Sequence, residues 1–504
     1  MTPPKVEATT LLDLLDPIPA DKTAVVVPET NTAISYGSLR GQVDAVAGYL
    51  AAAGIRRGDR VGIALPNGLP AIVSFLAASM AGTAAPLNPA YKEDEFRFYL
   101  EDTNARVVLL PPDGAEEARR AAADDVRILS VEADADGTVS IAGIGDRRPW
   151  SPPTVDDVAL ILHTSGSTGR PKRVPLSHAN LSISAGNVAR SYALTADDVS
   201  LCVMPLFHVH GLVASTLATL ASGGTVVVPG KFNPVSFWRI ARDHGATWYS
   251  AVPTLHQLLL SRADPESGSV GTDKLRFIRS CSAPLAPQVM HDLEAAFGAP
   301  VLEAYGMTEA AHQMTSNPLP PGKRLAGSVG RGTDVDVSIM DGTGRHLPPG
   351  ESGEVVIKGP NVITAYENNP EANASSFVDG WFRTGDQGIL HADGYLKLTG
   401  RLKEMINRGG EKISPIEVDQ VLLAHPAVVE AVCFGVTHPT YGEEVVAAVV
   451  LGEEATEADL LAFCRERLAD YKRPKHIYIT DSIPRTATGK IQRRIVAQSF
   501  APLP

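Results

Sequence analysis

Cysteine is scarce in this chain: four residues in 504, at positions 202, 281, 433 and 464, with no C-x-x-C pair. That spacing argues against a disulfide scaffold or a zinc site and predicts buried, reduced thiols. Basic residues are also in deficit, 45 Lys and Arg against 57 Asp and Glu, for a net charge of −12. A nucleic-acid partner needs a clustered basic surface, so none is expected. The same acidic balance repels anions at long range, and any phosphate or carboxylate site must be locally basic. Unbroken apolar runs of membrane-spanning length are missing too. Stretches 61–91 and 201–230 carry no Asp, Glu, Lys or Arg and are long enough to cross a bilayer. However, Pro66, Asn67, Gly68 and Pro70 break the first, and Pro205, His208, His210, Gly223 and Gly224 break the second. Buried helices and strands of a large core are expected there, not membrane insertion. Neither a signal-peptide core nor a C-terminal address is recognisable, so cytoplasm is expected. No internal repeat is visible.

What remains is an ordinary globular composition, 44% hydrophobic and 20% charged, at a length suited to about three domains. Up to about residue 110 strands and helices alternate: strands over 61–65, 84–87 and 106–110, helices over 72–80 and 93–100. This βαβ rhythm predicts a mainly parallel sheet covered by helices on both faces. Residues 114–155 are Asp/Ala-rich and weakly periodic and read as a peripheral excursion. The alternation resumes with strands over 158–163, 200–204, 225–228, 247–252, 275–280 and 301–305. Helices over 253–262 and 287–297 lie between them. From 327 to 400 short strands and Gly/Pro turns predict a small β subdomain. After Arg401 an α+β unit of about a hundred residues is expected. The fold class is therefore α/β: two doubly wound subdomains and a small β subdomain in a large N-terminal domain (1–400), then a small α+β C-terminal domain (401–504).

The stretch richest in chemistry is His163-Thr164-Ser165-Gly166-Ser167-Thr168-Gly169-Arg170-Pro171-Lys172, following the apolar run 158–162. Glycines let successive N–H groups turn inward on an anion. Thr164, Ser165, Ser167 and Thr168 add hydroxyl donors, and Lys172 adds charge. The spacing is not that of a Walker loop. Taken alone it could equally be a Ser/Gly surface turn. A second Thr/Gly turn ending on lysine, Thr486-Ala487-Thr488-Gly489-Lys490, lies near the other end. Between them stand Tyr305-Gly306-Met307-Thr308-Glu309, Trp381-Phe382-Arg383-Thr384-Gly385-Asp386 and Gly400-Arg401-Leu402-Lys403-Glu404.

In this order the five motifs resemble those of the adenylate-forming superfamily: acyl-CoA synthetases, firefly-type luciferases and peptide-synthetase adenylation domains. The resemblance runs from about Tyr36 to Arg493. It implies ATP, Mg²⁺ and CoA as cofactors and co-substrates, and a C-terminal domain that moves about a hinge at Lys403. It assigns the β- and γ-phosphates to the loop Thr164, Ser165, Gly166, Ser167, Thr168, Gly169 and Lys172. Glu309 would hold Mg²⁺, Thr308 would donate to the α-phosphate, and Tyr305 would stack on adenine. Asp386 would accept from the ribose hydroxyls with help from Arg401. Lys490 would stabilise charge in the adenylation transition state, and Gly409 and Gly410 would line a thiol path. Where the family has glycine after the loop lysine this chain has Arg173, expected to add a cation. Lys472, Arg473 and Lys475 could meet CoA phosphates or form an ordinary basic surface.

The acyl segments are unusually polar for the superfamily. They contain Phe207-His208-Val209-His210-Gly211, Ser280-Cys281-Ser282-Ala283 and Ala310-Ala311-His312-Gln313. Three histidines and two serines suit a fatty chain poorly, because unpaired buried polar groups are costly, and suit a second carboxylate well. The wording of these segments, with Arg279 before Ser280 and the run 407–415, resembles oxalate–CoA ligases. Oxalate is therefore the expected acid, with His208, His210, Ser282 and His312 as substrate residues. The alternative enzyme is a medium-chain acyl-CoA synthetase. A silent nucleotide-binding relative would have no need of Lys172, Glu309, Asp386 and Lys490 together.

Overall fold

The computed structural model describes residues 6–164, 171–263, 273–485 and 491–500. Among these residues the strands form four sheets, of nine, seven, five and five strands. The predicted α/β class and parallel alternation hold in both large sheets. In the seven-stranded sheet Arg60–Ile63 lies between Thr83–Pro86 and Ala105–Leu110, all parallel, and Val158–Thr164 pairs parallel with Thr83–Pro86. Helix Leu69–Ala81 is buried at every residue except Pro70, as befits a helix apolar on all sides. The uncharged stretch 61–91 is thus core. Among the described residues no helix is long and apolar enough to cross a membrane, and all four cysteines are buried and free.

Two local expectations are corrected. The supposed excursion 114–155 extends the sheet: Arg127–Ala133 pairs parallel with Ala105–Leu110, and Val139–Ala142 pairs antiparallel with it at the edge. Leu129, Val131, Val139 and Ile141 are buried at the two-residue spacing of a strand, a signal diluted by the surrounding Asp and Ala. Second, a strand follows the glycine-rich segment. Lys172–Ser177 pairs antiparallel with Val158–Thr164, with Thr164 opposite Lys172, so these two residues form the neck of a hairpin. Helix His178–Ser191 starts directly after it, capped by the Ser177 side chain.

In the nine-stranded sheet Trp248–Ala251, Phe277–Ser280 and Val301–Met307 run parallel side by side. The last then reverses into His312–Ser316, a strand not foreseen from sequence because four of its five residues are polar and yet all five are buried. A five-stranded sheet carries Ser352–Lys358, Trp381–Leu390 and Leu396–Arg401. The helices and strands after Arg401 build the other five-stranded sheet around its own core of Ile406, Val418, Leu422, Cys433, Val445, Leu460 and Cys464.

Candidate active site

Thr164 and Lys172, at the hairpin neck, stand beside Glu309. The Thr164 hydroxyl points at Glu309 Oε1 from 3.4 Å, and Tyr366 OH donates to the same oxygen at 2.8 Å. Lys172 Nζ lies 4.4 Å from the centre of the Tyr366 ring, within cation–π range. Burial lowers the pKa of Lys172, Glu309 opposes that, and the charge of Lys403 reinforces it. Residues far apart in sequence are thus gathered at one place. Ser165, Gly166, Ser167, Thr168 and Gly169 lie outside the described residues. Sequence reasoning missed Tyr366, whose only signal is an aromatic closing the uncharged run 359–366.

Glu309 is held by a tight reversal. Thr308–Ala310 forms a single 3₁₀ turn between antiparallel strands in which Met307 faces His312. A Cβ on Gly306 would sit 2.1 Å from the His312 carbonyl oxygen, so this position in the motif must be glycine. Asn361 Nδ2 donates to Ala310 O at 2.8 Å, Ile363 N to Glu309 O at 2.9 Å, and Ser184 Oγ to Ala311 O at 2.8 Å. These bonds hold Ala311 and His312 at φ of 51° and 116°, conformations costly for residues with a Cβ. Thr308 and Glu309 are both buried in the turn.

A second group lies on the neighbouring β sheet. Asp386 sits within the ten-residue strand Trp381–Leu390, not in a turn, and pairs in register with Arg401. Its carboxylate accepts a hydrogen bond from Tyr305 OH and meets Arg401 Nε at 3.1 Å. Burial, and then Asp386, push the Tyr305 hydroxyl well above the usual tyrosine range, so it remains a donor. Directly after Arg401 the chain turns: Glu404 N and Met405 N donate to Arg401 O at 2.9 and 3.1 Å, with Lys403 exposed on the turn.

The four substrate candidates also converge. His210 opens a π-helical segment, His210–Leu217, a wide turn common at functional sites. Its backbone N–H donates to His208 Nδ1 at 3.2 Å, and its own Nδ1 lies 3.1 Å from Ser282 Oγ. The His210 and His312 rings are 5.1 Å apart. Ser282, at φ 74°, is another residue with a Cβ in the left-handed region. At their centre is a residue given no role from sequence, Arg279, fully buried on Phe277–Ser280. Its guanidinium donates to Tyr192 OH at 2.9 Å, Ser250 Oγ at 2.9 Å and Gln313 Oε1 at 3.0 Å. It also stands 3.4 Å from both His210 Nε2 and His312 Nδ1. It is one of two arginines in 275–280, and nothing in that strand's sequence separates the buried Arg279 from Arg276 nearer the surface.

Lys490 lies outside the described residues; its flanks, Arg485 and Ile491, form an antiparallel bridge. Gly409 and Gly410, at φ 62° and 98°, make the turn between Ile406–Arg408 and Glu411–Ile413 in the C-terminal sheet. The cation expected of Arg173 is not left to the loop. Its guanidinium bonds the Asp102 carbonyl and stands 3.5 Å from the carboxylates of both Asp102 and Glu367. Lys472 and Arg473 are engaged by Glu417 and Asp470, each at 2.7 Å. Among the described residues no cluster of three or more His, Cys, Asp or Glu could hold a metal by itself.

Comparison with known proteins matches this arrangement to others. The profile of AMP-binding enzymes fits residues 18–367, and that of the AMP-binding enzyme C-terminal domain fits residues 417–490. The oxalate–CoA ligase of Arabidopsis thaliana is 49% identical over 467 residues, covering 90% of each chain. The probable CoA ligase CCL9 of Humulus lupulus is 48% identical over 499 residues, covering 95% of this chain and 94% of that one. The crystal structure of ATP-bound MatB from Rhodopseudomonas palustris superposes with a TM-score of 0.88 at 33% identity, covering 98% of this chain and 99% of that one.

Proposed function

Because the chain belongs to the family of AMP-binding enzymes, we propose that it is the ligase that joins oxalate to CoA. The coarser activity, AMP-forming ligation of a carboxylic acid to CoA, follows from the family and the relatives. In the first half-reaction one oxalate oxygen attacks the α-phosphorus of ATP and pyrophosphate leaves. In the second the CoA thiol attacks the acyl carbonyl, loses its proton and expels AMP, giving oxalyl-CoA.

The observation that carries the choice of acid is the polar cluster of buried His210 and His312 and half-buried Ser282 around Arg279. A fatty chain would lie against a charged and polar wall and gain little from burial there. A short dianion satisfies it. His208 would stand beside the acid at the same end.

At the nucleotide end Thr164, Lys172 and residues 165–169 would grip the β- and γ-phosphates, and Thr308 would donate to the α-phosphate. Tyr305 would stack under adenine while its hydroxyl orients Asp386 toward the ribose, with Arg401 balancing the carboxylate. The Glu309 carboxylate, flanked by the Thr164 and Tyr366 hydroxyls, is a hard oxygen site suited to Mg²⁺, which prefers one or two carboxylates plus phosphate oxygens. Bound there, the ion would neutralise charge on the departing pyrophosphate. Lys490 would bring its ammonium to the reacting oxygens, and a swing about Lys403 would then exchange it for Gly409 and Gly410 along the thiol path.

Pyrophosphate release measured with oxalate, malonate and octanoate tests the reading. Oxalate is expected to be turned over most efficiently, and His312→Ala to lower its kcat/KM by well over tenfold. Octanoate outperforming oxalate would overturn it.

A further inference from the structure

We infer that Arg279 is the positioning residue that makes the acid pocket selective for a doubly charged acid: it orients His210 and His312 as hydrogen-bond donors and leaves its own charge for the second carboxylate to balance. This rests on the reading of the preceding section.

Buried cations are normally paired, because an isolated ion costs several kcal/mol on leaving water. Arg279 is 0% exposed, and among the described residues its bonding partners are Tyr192, Ser250, Gln313, His210, His312 and the Cys281 thiol. None is a carboxylate. The adjacent strand offers Glu303, but Glu303 is in register with Ser280 and not with Arg279. Successive strand residues face opposite sides of a sheet, so Glu303 lies on the other face. Burial also pushes its pKa up to about 8, which keeps it neutral. Among the described residues the charge therefore faces hydroxyl, amide, imidazole and thiol groups and no carboxylate.

A guanidinium can only donate, and this fixes the direction of every bond around it. At 3.4 Å from Arg279 Nη2, His312 Nδ1 must be an acceptor, so the neutral ring carries its proton on Nε2. Ser250 Oγ accepts from Arg279 Nη1 at 2.9 Å and turns its own proton to His210 Nε2, 2.6 Å away. His210 then holds its proton on Nδ1 and donates to Ser282 Oγ at 3.1 Å. The hydrogen bonds thus all run outward from the cation, as a dianion requires. Protonating either histidine would place a second positive charge beside the first, so the rings serve as neutral donors and Arg279 is the charge. The two strained backbones of this region, at Ser282 and His312, belong to residues at the ends of this network.

The test measures adenylation of oxalate, malonate, oxamate and octanoate by the full-length enzyme and by Arg279→Met and Arg279→Lys. Oxamate keeps one carboxylate and replaces the other with a neutral amide. Arg279→Met is expected to lose about a hundredfold in kcat/KM for oxalate, mostly in KM, with oxamate changed less than about fivefold and the KM for ATP unchanged. Arg279→Lys keeps the charge without the fork, and should preserve the preference of oxalate over oxamate at lower efficiency. Equal losses for all acids, or no loss with Arg279→Met, would overturn the inference. So would a folded, ATP-binding Arg279→Lys enzyme that no longer tells oxalate from oxamate, which decides the matter should the Met variant not fold. Wild-type preference for octanoate would instead sink the oxalate reading itself, a result visible before any variant is made.

Discussion

Arg279 and Arg493 are both drawn away from solvent, yet their surroundings are opposite. Arg493 Nη2 meets Asp419 at 2.5 Å, its Nε stands 3.3 Å from Glu404, and its Nη1 donates to the Cys433 carbonyl at 2.7 Å. Asp419 also accepts from Cys433 N. That cation has its counter-ions within the chain, and it ties the last helix, the helix Pro415–Leu423 and the turn after Lys403 into one unit. Arg279 has no carboxylate beside it among the described residues. The first arrangement stabilises the fold; the second keeps a site receptive to an anion from outside.

Removing each arginine should separate these roles. Arg493→Met leaves Asp419 buried without its partner and is expected to cost about 3–5 kcal/mol, read from the denaturant midpoint. Arg279→Met removes a buried charge without a carboxylate partner but also takes the donor from the Ser250 and Gln313 oxygens, and these opposing effects should hold the net loss to about 1–2 kcal/mol. Comparable destabilisation by both would erase the contrast.

Supplying Arg279 with an internal counter-ion should convert it toward the Arg493 condition. Gln313 Oε1 already accepts from it, and Gln313→Glu puts a carboxylate there. We expect kcat/KM for oxalate to fall by about a hundredfold, roughly 2.7 kcal/mol, with the melting temperature held or raised.

Glu303 permits a further sharpening by pH. Its folded-state pKa of about 8 lies above the ordinary carboxyl value because of burial. The protonated form is therefore favoured by folding. Its contribution is complete below the unfolded pKa and is lost as pH rises toward 8, at about 1.4 kcal/mol per pH unit in between. Glu303→Gln should flatten that slope between pH 6.5 and 7.5, where the buried His178 and His256, lowered to about 4, are neutral in the fold. An unchanged slope would show that Glu303 is charged, and the opposite face of the sheet would then matter to Arg279 after all.

Lys172, half-buried over the Tyr366 ring, is an intermediate case between the two arginines. Tyr366→Phe keeps the ring and removes the hydroxyl bonded to Glu309. About 1 kcal/mol is expected, a several-fold rise in the KM for Mg-ATP.

Much of the fold was legible because local signals agreed. Helix Pro287–Phe297 falls at its predicted bounds: it opens on a proline and closes on Gly298 in the left-handed conformation. The strand His312–Ser316 was invisible because its burial depends on polar contacts with Arg279, Tyr192 and Asn361, which no periodicity encodes. For the same reason nothing in its motif marks Arg279 as buried, and Tyr366 shows only as the aromatic that closes an uncharged run. The motifs led to Asp386, but only pairing with Arg401 revealed a strand there. The hydroxyls and glycines of 165–169 are plain in the sequence, whereas the pairing of Val158–Thr164 with Lys172–Ser177 on either side of them shows only in the antiparallel register.

The short turn after Arg401 carries a mechanical consequence. Arg401 is anchored to Asp386 on the large side, while Glu404 is anchored to Arg493 on the small side. Any change of attitude between the halves that preserves both clamps has only the dihedrals around Leu402 and Lys403 in which to occur. The travel of the smaller half would then be a rotation about nearly a single swivel point, and exchanging either clamp residue for alanine should widen the range of poses it adopts.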